Sequence, residues 1–243
     1  MNRLELARPR AVGELFRDSL DVLLRHAGVF IALSAAVVIP VHVAVEGIGL
    51  EMLTGPYDDS PELAEAAVPT VVGFLVVSPI ITAICIHALR SVAGGERIGA
   101  GQAFVSGFEA FTPLFFAVAL AAIGIAAGFL LLVVPGIYVA VRWFFVPQAV
   151  VIERARGPQA LVHSGEVTQG FWWRTFGLVI LVNLAAALPA LLLTAPFTAV
   201  AASTDDAVWS LAGTIAAECV TAPFVALFST LLYYDLRVRR RGA

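Results

Sequence analysis

Residues 133–153 read VVPGIYVAVRWFFVPQAVVIE, and their reading decides the fold. They have the character of the second half of a membrane hairpin. Pro135 and Gly136 form a turn pair, because proline presets φ at the first central position and glycine accepts positive φ at the second. One apolar run precedes the pair and another follows it. Inside the second run stands Arg142. An arginine near the middle of a spanning helix costs roughly 2.5–3.5 kcal/mol, so whatever offsets that cost reports how the helices pack.

The remainder of the chain is of the same kind. Of its 243 residues 60% are hydrophobic and 14% charged, and the mean hydropathy is +0.91. A soluble domain carries roughly 25% charge. Six apolar runs read as spans, at about residues 28–45, 67–89, 112–134, 137–152, 175–201 and 207–234, the fourth of them short. The expected architecture is therefore all-α, a polytopic membrane helical bundle of six transmembrane helices forming one integral membrane domain over residues 1–243. Pro40 is tolerable as a kink in the first span, and Ser78-Pro79 is expected to bend the second. Cys85 and Cys219 fall inside apolar runs and read as small core residues, not as a disulfide or metal pair. A long charged segment precedes the first run, so the first helix is expected to be an uncleaved signal anchor.

Three polar segments each predict a short amphipathic helix on the cytoplasmic side. In the first, Val12, Leu15, Phe16, Ser19, Leu20 and Leu23 share a face, opposite Glu14, Arg17, Asp18, Asp21 and Arg25. In the second, Phe104, Phe108 and Phe111 recur at i, i+4 and i+7 and should face lipid or the bundle. In the third, Pro158 suits a first helical turn, and Trp172 and Trp173 stand where an aromatic belt would lie. All 15 basic residues are arginines. With the N-terminus inside and six alternating spans, every arginine but Arg142 falls on the cytoplasmic side. The loop from Glu46 to Glu65 is acidic and has no basic residue. This one-sided split places both termini in the cytoplasm. Arg237, Arg239, Arg240 and Arg241 close the chain as a stop-transfer flank and as candidate contacts to anionic lipid.

The polar segments share a pattern. GELFRDSLD from Gly13, GQAFVSGFE from Gly101 and PQALVHSGE from Pro158 align Glu14, Phe16 and Asp21 with Gln102, Phe104 and Glu109, and with Gln159, Leu161 and Glu166. A hairpin follows each. Three tandem units are expected, at residues 11–90, 99–152 and 157–236. Generic amphipathic sequence, with Glu or Gln serving the first helical turn, produces the same pattern without a repeat.

No HExxH, GxSxG, Walker loop, CxxC or dinucleotide fingerprint occurs, so no catalytic residue, cofactor or metal is assigned. Gly124 to Gly128 form a GxxxG, whose usual meaning is close helix packing. The polar groups inside the spans are Arg142, Gln148, Asn183 and Glu218. A buried charge in a bilayer pairs or faces a cavity. Depth along the helices makes Glu218 the first expected partner of Arg142. Snorkelling of Arg142 to the outer headgroups, or pairing with a backbone carbonyl or Asn183, are the alternatives.

RPRAVGELFRDSL, VVPGIYVAVRWFFVPQAVVIE, QALVHSGEVTQGFWWRTFG and LLYYDLRVRR together resemble a bacterial family of six-span proteins similar to the membrane domain of glycerophosphoryl diester phosphodiesterase. The resemblance implies a multi-pass protein of the bacterial plasma membrane. It implies no hydrolase activity, since the spans leave no room for the soluble catalytic domain. The expected function is a non-catalytic membrane module that scaffolds or handles lipid through its surface helices. Two other expectations stand beside it. One is a transporter of lipid or small solutes with a polar path past Arg142 and Glu218, suited by helices broken at Pro189, Pro196 and Pro223. The other is an intramembrane enzyme. A polar cavity would separate the transporter from a dry scaffold. Membrane lipids, anionic ones among them, are the expected partners. Nothing points to nucleic acid, and a protein partner or second copy is left open.

Overall fold

A computed structural model describes residues 5–6, 8–47, 70–96 and 98–242. The acidic loop at residues 48–69 and Arg97 lie outside the described residues. Among the described residues there is no strand. The helices are α1 (Val12–Arg25), α2 (Ala27–Gly47), α3 (Ser78–Gly94), α4 (Ala100–Glu109), α5 (Phe111–Leu131), α6 (Val133–Arg142), α7 (Val146–Glu153), α8 (Pro158–Thr168), α9 (Trp172–Thr204) and α10 (Ala207–Arg241). Six stretches are long and apolar enough to cross a membrane: Ala27–Val45, Thr70–Gly94, Phe111–Leu131, Val133–Glu153, Trp172–Thr204 and Ala207–Arg241. The molecule is an all-α helical bundle.

The bundle is built around α10. Its Leu227, Phe228, Leu231, Leu232 and Leu236 are fully buried, and it packs on α9, α2, α3 and α1. Phe16 of α1 meets Phe228 at 4.7 Å and Phe224 at 6.2 Å between ring centroids. A second core joins the α5–α7 hairpin to α3 and α8, through Leu114, Val118, Ala121, Ala83, Val146, Val150 and Leu161. Beyond that core the hairpin projects. Leu130, Leu131 and Val134 are 91%, 76% and 77% exposed, which makes the tip an apolar surface that the bundle itself does not cover.

Local chemistry explains the interruptions. Pro79 cannot donate a backbone hydrogen bond, and the π-helical turn Gly73–Val77 lies directly before it. Gly95 ends α3 at φ 77°, a left-handed cap that glycine adopts without strain. The expected Pro135-Gly136 turn is not there. The chain reverses at Leu132, whose backbone is extended, and Pro135 and Gly136 lie in the first turns of α6. Proline in a first turn loses no helical hydrogen bond, which is why the residue fits a helix start as well as a turn. Gly136 is instead a packing position, its Cα 3.0 Å from where a Cβ on Gly128 would stand.

The stretch 133–153 is two helices, not one. It breaks over Trp143–Phe145, just ahead of Pro147 in the first turn of α7. The break leaves orphan backbone groups, and α8 satisfies them. Ser164 donates its hydroxyl to the Arg142 carbonyl at 2.9 Å and accepts the Phe145 N–H at 3.1 Å.

The three short helices dock on the bundle by corresponding positions. Leu15, Ala103 and Ala160 are buried, and so are the small residues Ser19, Gly107 and Ser164. Val12, Leu20 and Phe108, grouped above with the apolar faces, are exposed, whereas Phe104 packs on the main core and meets Phe108 at a tilt with ring centroids 4.8 Å apart. The buried face of α1 consists of Leu15, Ser19, Val22 and Leu23.

Candidate functional site

A cavity of about 890 Å³ opens between α2, the α3 stretch, the α5–α7 hairpin, α9 and α10. Its walls are mostly apolar, with Phe74, Val77, Val118, Ile125, Trp143 and Val225 among them. Two groups of polar side chains stand out among the polar lining residues. At one, Nε2 of His42 on α2 lies 3.0 Å from Oε2 of Glu218 on α10. His42 is buried, and Glu218 is about a third exposed. At the other, Gln148 on α7 is 2% exposed and donates Nε2 to the Ser229 hydroxyl at 3.0 Å, while its Oε1 has no partner among the described residues. A buried amide oxygen without a donor costs about 1–3 kcal/mol, so this atom marks a place for a hydrogen-bond donor. Asn183 also lines the cavity, with Nδ2 donating to the Val179 carbonyl at 2.7 Å.

The site brings together Glu218, Gln148 and Asn183, three of the four intramembrane polar residues singled out from sequence. Arg142 is elsewhere, and the expected Arg142–Glu218 pair does not form. Nη1 of Arg142 donates to the Tyr138 hydroxyl at 3.1 Å. The reason is the helix break: α6 ends at Arg142, and the guanidinium swings toward α8, where Gly165 leaves space for it. Sequence reasoning missed His42 as the partner. The signal was present, since His42 is the only histidine in the first span and a membrane carboxylate needs a donor.

Two further ionic clusters tie the other end of the bundle. Asp235 is 0% exposed and accepts the Arg10 N–H at 2.6 Å, Arg174 Nη2 at 3.1 Å and Arg239 Nε at 2.9 Å. Arg174 and Arg239 each also donate to the Arg10 carbonyl at 2.9 Å. The Arg10 side chain, itself 0% exposed, pairs with Asp18 at 3.0 Å. Glu153 accepts from the Tyr233 hydroxyl and lies 2.8 Å from Nδ1 of His163 and 3.6 Å from Nε of Arg237. Arg240 lies 3.8 Å from Glu166. Thus Arg237, Arg239 and Arg240, expected as lipid contacts, already have carboxylate partners. Neither cluster lines the cavity.

A family model described as a domain of unknown function (DUF7847) matches residues 62–236. No curated protein matches the chain. No solved structure matches it.

Proposed function

Starting from the fact that the chain belongs to the DUF7847 family, which carries no assigned function, we propose that it is an integral membrane protein that binds a small amphiphile in its intramembrane cavity and moves it as a transporter. The observation that carries this reading is the cavity itself: about 890 Å³, apolar-walled, with the Glu218–His42 pair inside it and a Gln148 oxygen that has no partner among the described residues. Ligand sites are of this size and kind, apolar with a few placed polar groups. The apolar walls suit a hydrocarbon body. The Gln148 oxygen and the Glu218 carboxylate suit hydrogen-bond donors or an ammonium. The same protein as a lipid-associated scaffold is the second reading, favoured by the three short helices docked against the spans. Catalysis is not part of either reading, and the resemblance to the phosphodiesterase membrane domain implies none.

Proteoliposomes test the proposal. With a fluorescent phosphatidylethanolamine as probe, the wild-type chain should accelerate transbilayer movement. Glu218→Gln and Gln148→Leu should each slow it about tenfold, equivalent to about 1.4 kcal/mol. Background rates from folded wild-type protein, both for this probe and for a choline-loaded vesicle, would leave the scaffold.

The bilayer orientation belongs to the same proposal. The arginine distribution supports both termini in the cytoplasm, and the family resemblance supports a bacterial plasma membrane. A cysteine at position 58 should then react with an impermeant label from outside only, and one at position 239 should not. Outside labelling at 239 reverses the orientation.

A further inference from the structure

The clearest group outside the cavity is Arg142, and we propose that it holds the phosphate of an anionic phospholipid. Three observations converge on it. First, the guanidinium is exposed, and among the described residues no carboxylate lies within ion-pair distance of it. Second, its position is built. A Cβ on Gly165 would stand 2.8 Å from Nε and 3.3 Å from Nη2, so glycine is required for the guanidinium to lie there. The Tyr138 hydroxyl fixes the other edge at 3.1 Å.

Third, the surroundings are those of a lipid headgroup region. The Tyr138 ring stacks on Trp172 with centroids 5.9 Å apart, and Trp172 Nε1 donates to the Tyr138 carbonyl at 3.3 Å. Trp172 continues the stack to Phe176 at 5.2 Å and meets Trp173 edge-on. Tyrosine and tryptophan gather at the membrane interface, where an amphipathic ring finds both media. Two residues on, Arg174 enters the Asp235 cluster, so this is also the arginine-bearing end of α9 and α10. The exposed apolar tip Phe129–Val134, about ten residues before Arg142 in the chain, offers a surface for acyl chains. A planar guanidinium with free N–H groups binds phosphate oxygens in a fork, and a phospholipid presents that phosphate directly above its chains. The inference is independent of the cavity.

Brominated lipids quench tryptophan on contact and give the test. In a chain that keeps Trp172 alone, carrying Trp143→Phe, Trp173→Phe and Trp209→Phe, brominated phosphatidylglycerol should be preferred over brominated phosphatidylcholine about fivefold, the scale of one basic side chain at an anionic surface. Arg142→Gln should bring the ratio to about one, Arg142→Lys should keep part of it, and Gly165→Ala should lower it. Native mass spectrometry of the wild-type chain from mixed vesicles is the second measurement and should show retained phosphatidylglycerol. Equal quenching by the two lipids, an unchanged ratio in Arg142→Gln, or no retained phosphatidylglycerol overturns the proposal. Loss of the preference on adding inorganic phosphate at constant ionic strength would assign a free anion and overturns it too.

Discussion

Replacing Asp235 with alanine is expected to remove about 3–5 kcal/mol of stability, the cost of breaking a buried charge cluster from one side. The carboxylate is 0% exposed and takes one backbone N–H and two guanidinium groups. Without it Arg174 and Arg239 share only the Arg10 carbonyl, and the Arg10 backbone N–H loses its acceptor. Arg174 is 26% and Arg239 32% exposed, so water recovers part of their loss. The buried Arg10 N–H recovers none of its loss, while the Arg10 guanidinium keeps Asp18. In a detergent melt the change should appear as a fall of roughly 6–20 °C. Asp235→Asn keeps the shape and one acceptor and should lose less. A loss below about 1 kcal/mol for alanine would mean that the cluster behaves as a surface ion pair.

Enlarging Gly128 should have the next largest effect. A Cβ there would meet the Gly136 Cα at 3.0 Å and its nitrogen at 3.3 Å. Both are backbone atoms, which cannot rotate away. Gly128→Leu must therefore push α5 and α6 apart, at about 1–3 kcal/mol for an overpacked contact. Gly124→Ala is different in kind. Its Cβ would stand 2.2 Å from Trp143 Cζ3, a side chain that lines the cavity, so this change should alter ligand binding as well as stability. Gly177→Ala is the control: nothing lies within 4 Å, and alanine should be neutral or up to about 1 kcal/mol stabilising in a helix. Equal losses at 128 and 177 would sink the close-packing account.

The GxxxG at Gly124 and Gly128 was legible in the sequence as a packing surface, and it is one. Its partner, however, is the returning arm of the same hairpin. The six spans were legible for a simple reason: the bilayer imposes their length and apolarity on the chain directly. Each expected span lies within a few residues of an observed one, apart from α10, which continues through Arg241. Side-chain partners were not legible in the same way. Whether Glu218 meets Arg142 or His42 depends on rotation and tilt of each helix, and about twenty apolar residues encode neither. The break at Trp143–Phe145 was hidden for a related reason. Its orphan groups are satisfied by Ser164, some twenty residues downstream, and no local pattern announces that bond. Asp235 and Arg10 read as ordinary flanking charges until α10 brings them together.

That last pairing sets a schedule for biogenesis. Arg10 and Asp235 are 225 residues apart, and α10 is the helix against which α1, α2 and α3 all pack. At roughly 5–20 residues per second of synthesis, about 11–45 s separate emergence of the first partner from that of the second. Throughout that interval the early helices sit in the insertion machinery or in lipid with the Phe16 ring and the Arg10 backbone N–H lacking their final neighbours. Assembly of the bundle is thus a closing step, completed by the last helix made, and a nascent chain stalled before residue 207 lacks its central packing element.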